Sequence, residues 1–118
     1  MECKVTMIDY KYSPDNWVIL KLKAGKLDSG IYKVLGGWSG GYLDGDSWRM
    51  NSGITEVKED ENYYYFYGYS GSCYRCGKQS YGLRMNNAGV YNSLKEKEGF
   101  ENQVTLMDED TDWMNIRW

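Results

Sequence analysis

The chain has 118 residues, the usual length of one domain, and we expect residues 1–118 to form a single domain. Acidic residues outnumber basic residues by 17 to 14, so the chain lacks the basic excess that direct nucleic-acid binding requires. The sequence contains no histidine, which is the commonest general base and metal ligand in proteins. These features disfavour most hydrolases and metalloenzymes, and they predict a non-catalytic protein without a cofactor.

The first third of the chain shows the two-residue periodicity of β-strands. Residues 3–12 show a loose period of two, residues 17–23 place Trp17 and Ile19 on one face against Val18, Leu20 and Leu22, and the turn-forming residues 13–16 separate the two segments. This pattern predicts a β-hairpin. A third strand is predicted at 31–35, just before the glycine-rich passage GGWSGGYLDGDSW.

The aromatic run YYYFY at 63–67 is the strongest strand signal in the sequence. Both of its faces are aromatic, so we expect a central strand or an interface strand, because an exposed edge of this composition would promote aggregation. A shorter strand is predicted at 55–57. Residues 104–107 and 113–116 are predicted to be the closing strands.

One segment has the pattern of a helix. Asn87 is a suitable N-cap, Gly99 is a suitable stop, and three apolar residues between them recur on one helical face, namely Val90, Tyr91 and Leu94. The predicted fold class is therefore β-rich α+β. We expect an antiparallel sheet, or a small open barrel or sandwich, with one short helix near residues 88–98.

Two glycine-rich passages resemble each other. GGWSGGYLDGDSWRMNS at 36–52 and GYSGSCYRCGKQSYGLRMNN at 68–87 both contain Gly, an aromatic residue, Ser and Gly in that order, and both contain the tripeptide Arg-Met-Asn. Two hairpins of similar composition would explain the likeness without any structural relation. Two hairpins related by approximate symmetry would instead bring their aromatic and arginine side chains toward one place.

These passages predict a ligand site because they contain three of the four arginines of the chain. An arginine binds phosphate or carboxylate at two points and stacks on rings, aromatic faces stack on a base or sugar, and glycines allow a close approach of the backbone. The ligand is predicted to be small, anionic and aromatic. The predicted ligand-binding residues are Trp38, Tyr42, Trp48, Arg49, Asn51, Tyr69, Tyr74, Arg75, Tyr81, Arg84 and Asn86. In the alternative interpretation four of these aromatic residues are core or interface residues, namely Trp38, Trp48, Tyr69 and Tyr81, and the arginines form surface ion pairs.

Cys73 and Cys76 have the spacing of one zinc knuckle, CxxCGK. A structural zinc ion needs four ligands, and the sequence offers only Cys3 besides and no histidine, so we predict no metal site. One cysteine is expected to pack inward and the other to lie in a turn. An odd number of cysteines also favours a reducing cytoplasm.

The end of the chain carries the acidic surplus. Four carboxylates lie close together there, Asp108, Glu109, Asp110 and Asp112. They are typical of a solvated loop between strands, and the alternative is a patch that docks a partner protein. No apolar run has the length of a signal peptide or a membrane span, so no membrane partner is expected.

The passage 67–94, with GYSGSCYRCGKQSYGLRM followed by VYNSL in the predicted helix, resembles the small, Tyr-rich, β-rich accessory proteins of large tailed phages of the T4 kind. The resemblance covers about a quarter of the chain. It implies a viral protein that acts in the cytoplasm of an infected bacterium, against a host enzyme or a defence system. It supplies no catalytic residues.

Three functions fit these observations. The first is a non-catalytic anti-defence protein, monomeric or homo-oligomeric, that sequesters a nucleotide-derived signal in an Arg and aromatic pocket. The second is an inhibitor that binds a host protein through the acidic cluster or an aromatic surface. The third is a carbohydrate-binding module, since Trp, Tyr and Asn also suit sugars.

Overall fold

A computed structural model of the chain describes residues 9–24, 30–41, 45–98, 102–116 and 118, and within these it contains seven strands and one α-helix. The strands are β1 (Asn16–Ala24), β2 (Ile31–Gly41), β3 (Gly45–Met50), β4 (Ile54–Glu59), β5 (Tyr63–Gly68), β6 (Cys73–Gly77) and β7 (Asn102–Leu106). The helix α1 is Ala88–Glu96, and a short 3-10 helix follows at Trp113–Asn115.

The strands form two antiparallel sheets that do not close into a barrel. The larger sheet has the strand order β3-β2-β1-β7, and the smaller has the order β4-β5-β6. In the larger sheet Ile19 of β1 lies opposite Val34 of β2, and Leu20 lies opposite Leu106 of β7. The predicted fold class is therefore confirmed, and the aromatic run occupies the central strand of its sheet.

Strand β1 divides the core into two parts. Trp17 and Ile19 pack on the smaller sheet, in a cluster with Phe66, Tyr74 and other residues. Val18 and Leu20, on the opposite face of the strand, belong to a second cluster that contacts α1. Successive residues of a strand point to opposite faces, so the molecule has three layers: the helix, the larger sheet and the smaller sheet. The face of the smaller sheet that packs on the larger one is called the inner face below.

Helix α1 begins and ends close to its predicted bounds. Its apolar residues Val90, Tyr91 and Leu94 pack on the larger sheet, as the helical spacing indicated. Asn87 occupies the N-cap position, but its side chain makes no capping hydrogen bond. The predicted stop, Gly99, lies outside the described residues.

Two sequence predictions about strands are wrong, one about a pairing and one about the presence of a strand. Residues 3–8 lie outside the described residues, but Tyr12 forms a parallel bridge with Tyr74 of β6 instead of a hairpin with β1. The partners of β1 are β2 and β7. Residues 113–116 do not form a strand either, because Trp113–Asn115 is the 3-10 helix that buries the Trp113 ring in the core.

Buried asparagines fasten the loop before α1 to the larger sheet. The Asn16 amide donates to the carbonyl of Gly82 (3.0 Å) and to Oδ1 of Asn87 (3.2 Å). The Asn86 amide donates to Oδ1 of Asn16 (2.7 Å). The Asn87 amide donates to the carbonyl of Leu35 (3.3 Å). Since all three side chains are buried, each of these hydrogen bonds replaces one that water would otherwise make.

We expect the substitution Asn16→Ala to lower the free energy of unfolding by about 2–4 kcal/mol, because it removes hydrogen bonds from the buried amides of Asn86 and Asn87. Urea unfolding followed by circular dichroism measures this change. Asn92→Ala, on the exposed face of α1, is the matched control and should change stability by no more than about 0.5 kcal/mol. Equal effects of the two substitutions would contradict the role assigned to Asn16.

Candidate functional site

Three of the predicted binding residues, Arg49, Asn51 and Tyr74, meet at one cavity between the two sheets. We call it the intersheet cavity; its volume is about 240 Å³. Its lining comes from the end of β3, the turn between β5 and β6, and the segment that pairs with β6. The lining residues are Tyr12, Arg49, Met50, Asn51, Ser52, Ser70, Ser72 and Tyr74.

Arg49 is stacked on an aromatic ring at the edge of this cavity. Its guanidinium carbon lies 4.6 Å from the ring centroid of Tyr12, within the range of a cation–π contact. Tyr12 is held in turn by Tyr74, whose ring centroid is 4.9 Å away, and by backbone hydrogen bonds with β6. Stacking occupies one face of the guanidinium, so its N–H edge stays available to an acceptor.

Arg49 has no carboxylate partner in the described part of the chain. The ion pairs there are Lys78 with Glu59 (2.6 Å) and Lys95 with Glu98 (2.9 Å). The prediction of surface ion pairs for the arginines is therefore not met at Arg49.

Asn51, which lines the cavity, has a side-chain donor without a partner among the described residues. The side-chain Oδ1 of Asn51 accepts a hydrogen bond from the backbone N–H of Val34 (2.9 Å), and the backbone N–H of Asn51 donates to the Val34 carbonyl (3.1 Å). Together these two bonds hold the residue in one orientation. Its Nδ2 is buried and has no partner among the described residues. A buried donor of this kind costs about 1–3 kcal/mol unless a partner satisfies it.

Serine hydroxyls complete the polar lining. The backbone N–H of Ser70 donates to Oγ of Ser52 (3.0 Å), which joins the two sheets at the mouth of the cavity. Gly68 lies close to the cavity lining and has no room for a side chain, because a Cβ there would lie 2.9 Å from Oγ of Ser52 and 3.3 Å from Nδ2 of Asn51. The turn itself depends on Gly71, whose φ of 90° disfavours other residues.

Tyr74 contributes a neutral donor to the cavity. Burial raises the pKa of Tyr74 to about 12, although the nearby Arg49 charge opposes the shift. The hydroxyl is therefore protonated at neutral pH. Among the described residues that line it, the cavity thus combines the Arg49 guanidinium with neutral donors and has no carboxylate. This composition suits an oxyanion.

Arg75 lies on the opposite side of the smaller sheet from Arg49. Its guanidinium carbon sits between the rings of Tyr10 (4.0 Å) and Tyr63 (4.4 Å), and its Nε–H donates to Oγ of Ser13 (3.2 Å). Neighbouring residues of a strand face opposite ways, so Tyr74 and Arg75 cannot serve one cavity. The prediction that they share a site is wrong.

The remaining predicted residues are dispersed. Trp38 lies near the cavity, with its ring edge-on to Tyr12 and its indole N–H donating to the Ser13 carbonyl (3.1 Å). Tyr69 is exposed in the β5–β6 turn, and Arg84 is exposed in the loop before α1. Tyr42 lies outside the described residues.

Two further predicted residues, Trp48 and Asn86, line a separate groove of about 570 Å³ between β3 and α1. Trp48 is half exposed there, whereas Asn86 is buried and belongs to the asparagine network. Gly37 makes room for Asn86, because a Cβ at Gly37 would overlap its amide. This glycine therefore serves packing and not the approach of a ligand.

The likeness between the two glycine-rich passages is not a structural repeat. Trp38 lies in strand β2, whereas its counterpart Tyr69 lies in a turn. Arg49 lies in strand β3, whereas its counterpart Arg84 lies in the loop before the helix. The predicted pairing of two symmetric hairpins is therefore wrong, and of the arginines that the structure describes only Arg49 lines the intersheet cavity.

Five lining residues were not predicted as binding residues from the sequence: Tyr12, Met50, Ser52, Ser70 and Ser72. Tyr12 comes into place through the parallel bridge with β6, which no local pattern signals. Ser52 directly follows the Arg-Met-Asn tripeptide, and Ser70 and Ser72 flank Gly71. Serine residues beside glycine turns are the sequence signal that would have identified Ser52, Ser70 and Ser72.

The CxxC pair does not form a joint metal site. Cys76 is buried in the core on the inner face, and Cys73 lies on the opposite face of β6, beside Tyr67. The expected position of one cysteine in a turn is wrong, since both lie in the strand. Among the described residues no three cysteine, aspartate or glutamate side chains come together as metal ligands.

The acidic cluster is a solvent-exposed turn. Thr111 donates to the carbonyl of Asp108 through its N–H (3.1 Å) and through its hydroxyl (2.7 Å). Asp112 accepts a hydrogen bond from the Asn115 amide (2.6 Å). These local bonds match the solvated loop that the sequence indicated.

Tyr81, another predicted binding residue, is part of the core. Its hydroxyl accepts from the N–H of Ile19 (3.2 Å) and donates to the carbonyl of Met107 (2.5 Å), so it bridges β1 and the residue after β7. Burial raises the pKa of Tyr81 to about 12. The same cause raises the pKa of Tyr65 to about 12.

We expect the protein to lose stability as the pH rises from about 10 to about 12. In the folded state Tyr65, Tyr74 and Tyr81 keep their protons at pH values where an unfolded chain, with the ordinary tyrosine pKa of about 10, releases them. Each contributes a slope of about 1.4 kcal/mol per pH unit in this range. Urea unfolding at several alkaline pH values measures the slope. Tyr81→Phe should make it shallower, and an unchanged slope in that variant would contradict the assignment.

No protein-family model matches the chain, and no curated protein or solved structure is detectably similar to it. Of the helices that the structure describes, none has the length and apolar composition needed to cross a membrane.

Proposed function

We propose that the protein is a non-catalytic binding protein that captures a nucleotide-derived anion in the intersheet cavity. In line with the resemblance to phage accessory proteins, the role we propose is the sequestration of a nucleotide signal in the cytoplasm of an infected bacterium. The cavity is narrower than most drug-sized sites, which span about 300–1,000 Å³, so it suits the phosphate group of the ligand and not the whole molecule.

One observation carries this proposal: Arg49 is positioned by Tyr12 and lacks a carboxylate partner among the described residues. A surface arginine without a defined role usually samples many rotamers. Here the stack on a half-buried tyrosine positions the guanidinium at a cavity that Asn51 also lines. A positioned guanidinium favours binding, because less side-chain entropy is lost when the ligand arrives.

The base of a nucleotide needs a flat surface to stack on, and the Tyr12 ring already contacts Arg49 and Tyr74. The outward face of the Arg49 guanidinium is the flat surface that a base can stack on, since arginine stacks on rings as tyrosine does. We therefore expect most of the affinity to depend on Arg49.

Isothermal titration calorimetry with nucleoside monophosphates, cyclic mono- and dinucleotides and ADP-ribose derivatives tests this proposal. Arg49→Gln should weaken the binding of the best ligand by about 10- to 150-fold, the value of a charge-assisted hydrogen bond. Arg84→Gln is the matched control, because it removes the same charge from an exposed loop away from the cavity. Unfolding midpoints of both variants show whether the fold is intact.

Absence of measurable heat with every ligand of the panel would sink the proposal. Equal weakening by Arg49→Gln and Arg84→Gln would also contradict it, because such a result indicates general attraction of anions and not a site. Release of products from the bound ligand over hours would show that the protein is an enzyme.

A second candidate function rests on Arg75. Its position between Tyr10 and Tyr63 makes a rigid, partly exposed patch of arginine and tyrosine, which are the residues most enriched at protein interfaces. An inhibitor of a host protein would use this patch. Arg75→Gln should then abolish capture of one defined partner from bacterial lysate, while Arg84→Gln should not. Capture that survives Arg75→Gln would contradict this candidate.

A further inference from the structure

We propose that the outer edge of strand β4 pairs with the same edge of a second copy of this chain, so that two three-stranded sheets join into one continuous antiparallel sheet. This inference goes beyond the proposed function and does not depend on it. It follows from the backbone groups that β4 leaves unpaired and from the order of the charges along the strand.

Strand β4 is an edge of the smaller sheet, whose strand order is β4-β5-β6. The N–H of Asp60 donates to the carbonyl of Tyr63 (3.0 Å), which fixes the residues that bond across this hairpin. In an antiparallel pair, residues that bond to the neighbouring strand alternate with residues whose N–H and C=O point away from it. Glu56 and Lys58 therefore bond to β5, whereas the N–H and C=O of Val57 point outward. In the described part of the chain these two groups have no partner.

Two other edges of the sheets are already covered. At β6 the backbone of residues 11–12 bonds to the strand. At β7 the N–H of Val104 donates to Oε2 of Glu98 (3.0 Å), and Nζ of Lys95 donates to the Val104 carbonyl (3.3 Å). Covers of this kind prevent an edge strand from pairing with another chain. None of the described residues bonds to the outward groups of β4 in this way.

The charges of β4 make its edge complementary to itself. Charged side chains on an edge strand usually discourage pairing with another chain. A two-fold axis at Val57, however, lets the two Val57 residues exchange both backbone hydrogen bonds, and it places Glu56 of each copy opposite Lys58 of the other. Neither of these two side chains has an ion-pair partner among the described residues. Opposite charges that face each other across an antiparallel pair stabilise it.

The same charges disfavour the neighbouring registers. Two copies of β4 can bond only where residues with outward backbone groups face each other, so the axis could otherwise lie at Glu56 or at Lys58. An axis at Lys58 would place two ammonium groups opposite each other, and an axis at Glu56 would do the same with two carboxylates. Like charges directly opposite each other destabilise a strand pair. The charge order therefore selects the axis at Val57.

The two faces of β4 suit this arrangement. Val57 lies on the inner face and packs against the core, so the two Val57 side chains meet beside the two cores. Glu56 and Lys58 lie on the opposite face, where Nζ of Lys58 is 5.4 Å from the ring centroid of Tyr67. Because the two-fold axis is perpendicular to the joined sheet, this face of both copies lies on one side. The charge pairs therefore form away from the intersheet cavity.

Analytical ultracentrifugation over a range of protein concentrations tests this inference. Wild type should reach twice the chain mass of 13.7 kDa as the concentration rises. Lys58→Glu and Glu56→Lys should each raise the dissociation constant of the dimer by about tenfold or more, because two attractive pairs become two repulsive pairs. Glu96→Lys, at an exposed position of α1, is the matched control and should leave the dissociation constant unchanged.

An equimolar mixture of the Lys58→Glu and Glu56→Lys variants tests the register. Each variant alone carries like charges at both positions, but in a mixed dimer every cross-strand pair again joins opposite charges. The mixture should therefore recover the affinity of wild type. The double variant Glu56→Lys/Lys58→Glu keeps both pairs with exchanged signs and should dimerise like wild type, so the test stays decisive if one single variant fails to fold.

Several results would overturn the inference. Wild type that stays monomeric at every concentration would leave the edge of β4 to a segment of another protein. Equal weakening of the dimer by Lys58→Glu and Glu96→Lys would show that the copies associate through another surface. A mixture that associates no more tightly than its two components would contradict the axis at Val57. Loss of the dimer in the single variants and its recovery in the mixture would support the inference.

Discussion

The structure depends on the burial of strand β1 on both of its faces. Trp17 and Ile19 pack on the smaller sheet, while Val18 and Leu20 pack on the helix, so one strand joins all three layers. The indole of Trp17 also donates to the carbonyl of Gly77 (2.7 Å), which links β1 to the end of β6 through a hydrogen bond as well as through packing. The distance between the two sheets, and with it the width of the intersheet cavity, therefore depends on this strand and on the rings stacked against it.

Buried amides perform a task that apolar residues cannot perform in this fold. Asn16 and Asn87 hold the loop before α1 against the larger sheet, where the carbonyls of Gly82 and Leu35 accept their amide N–H groups. Asn51 does the same for Val34 at the exit of β3, but its Nδ2 is left over. The side chain that orders the backbone therefore also carries a buried donor that has no partner among the described residues.

Local patterns in the sequence predicted the elements better than their contacts. The alternation in β1, the aromatic run of β5 and the apolar spacing of α1 each reflect burial of a face, and each was predicted correctly. The parallel bridge of Tyr12 with Tyr74 joins residues far apart in the chain, and no periodicity encodes such a pairing. The segment at Trp113 looked like a strand, since its large apolar residues suit either structure. Residue type alone predicted Arg49, Asn51 and Tyr74, which do line one cavity. Most of the other predicted residues lie elsewhere, because residue type does not tell on which face of a strand a side chain lies.

The face on which each side chain lies decides which arginine can act. In β6, Tyr74 faces the larger sheet, so Arg75 must face the other way. A shift of one residue in the register of β6 would exchange the two and place a second cation in the cavity. The register is held by Cys76 and Tyr74, which are both buried in the core, and by the pairing of Phe66 with Tyr74. The apolar demands of the core thus keep Arg75 out of the intersheet cavity, and Arg49 is the arginine of the described residues that lines it.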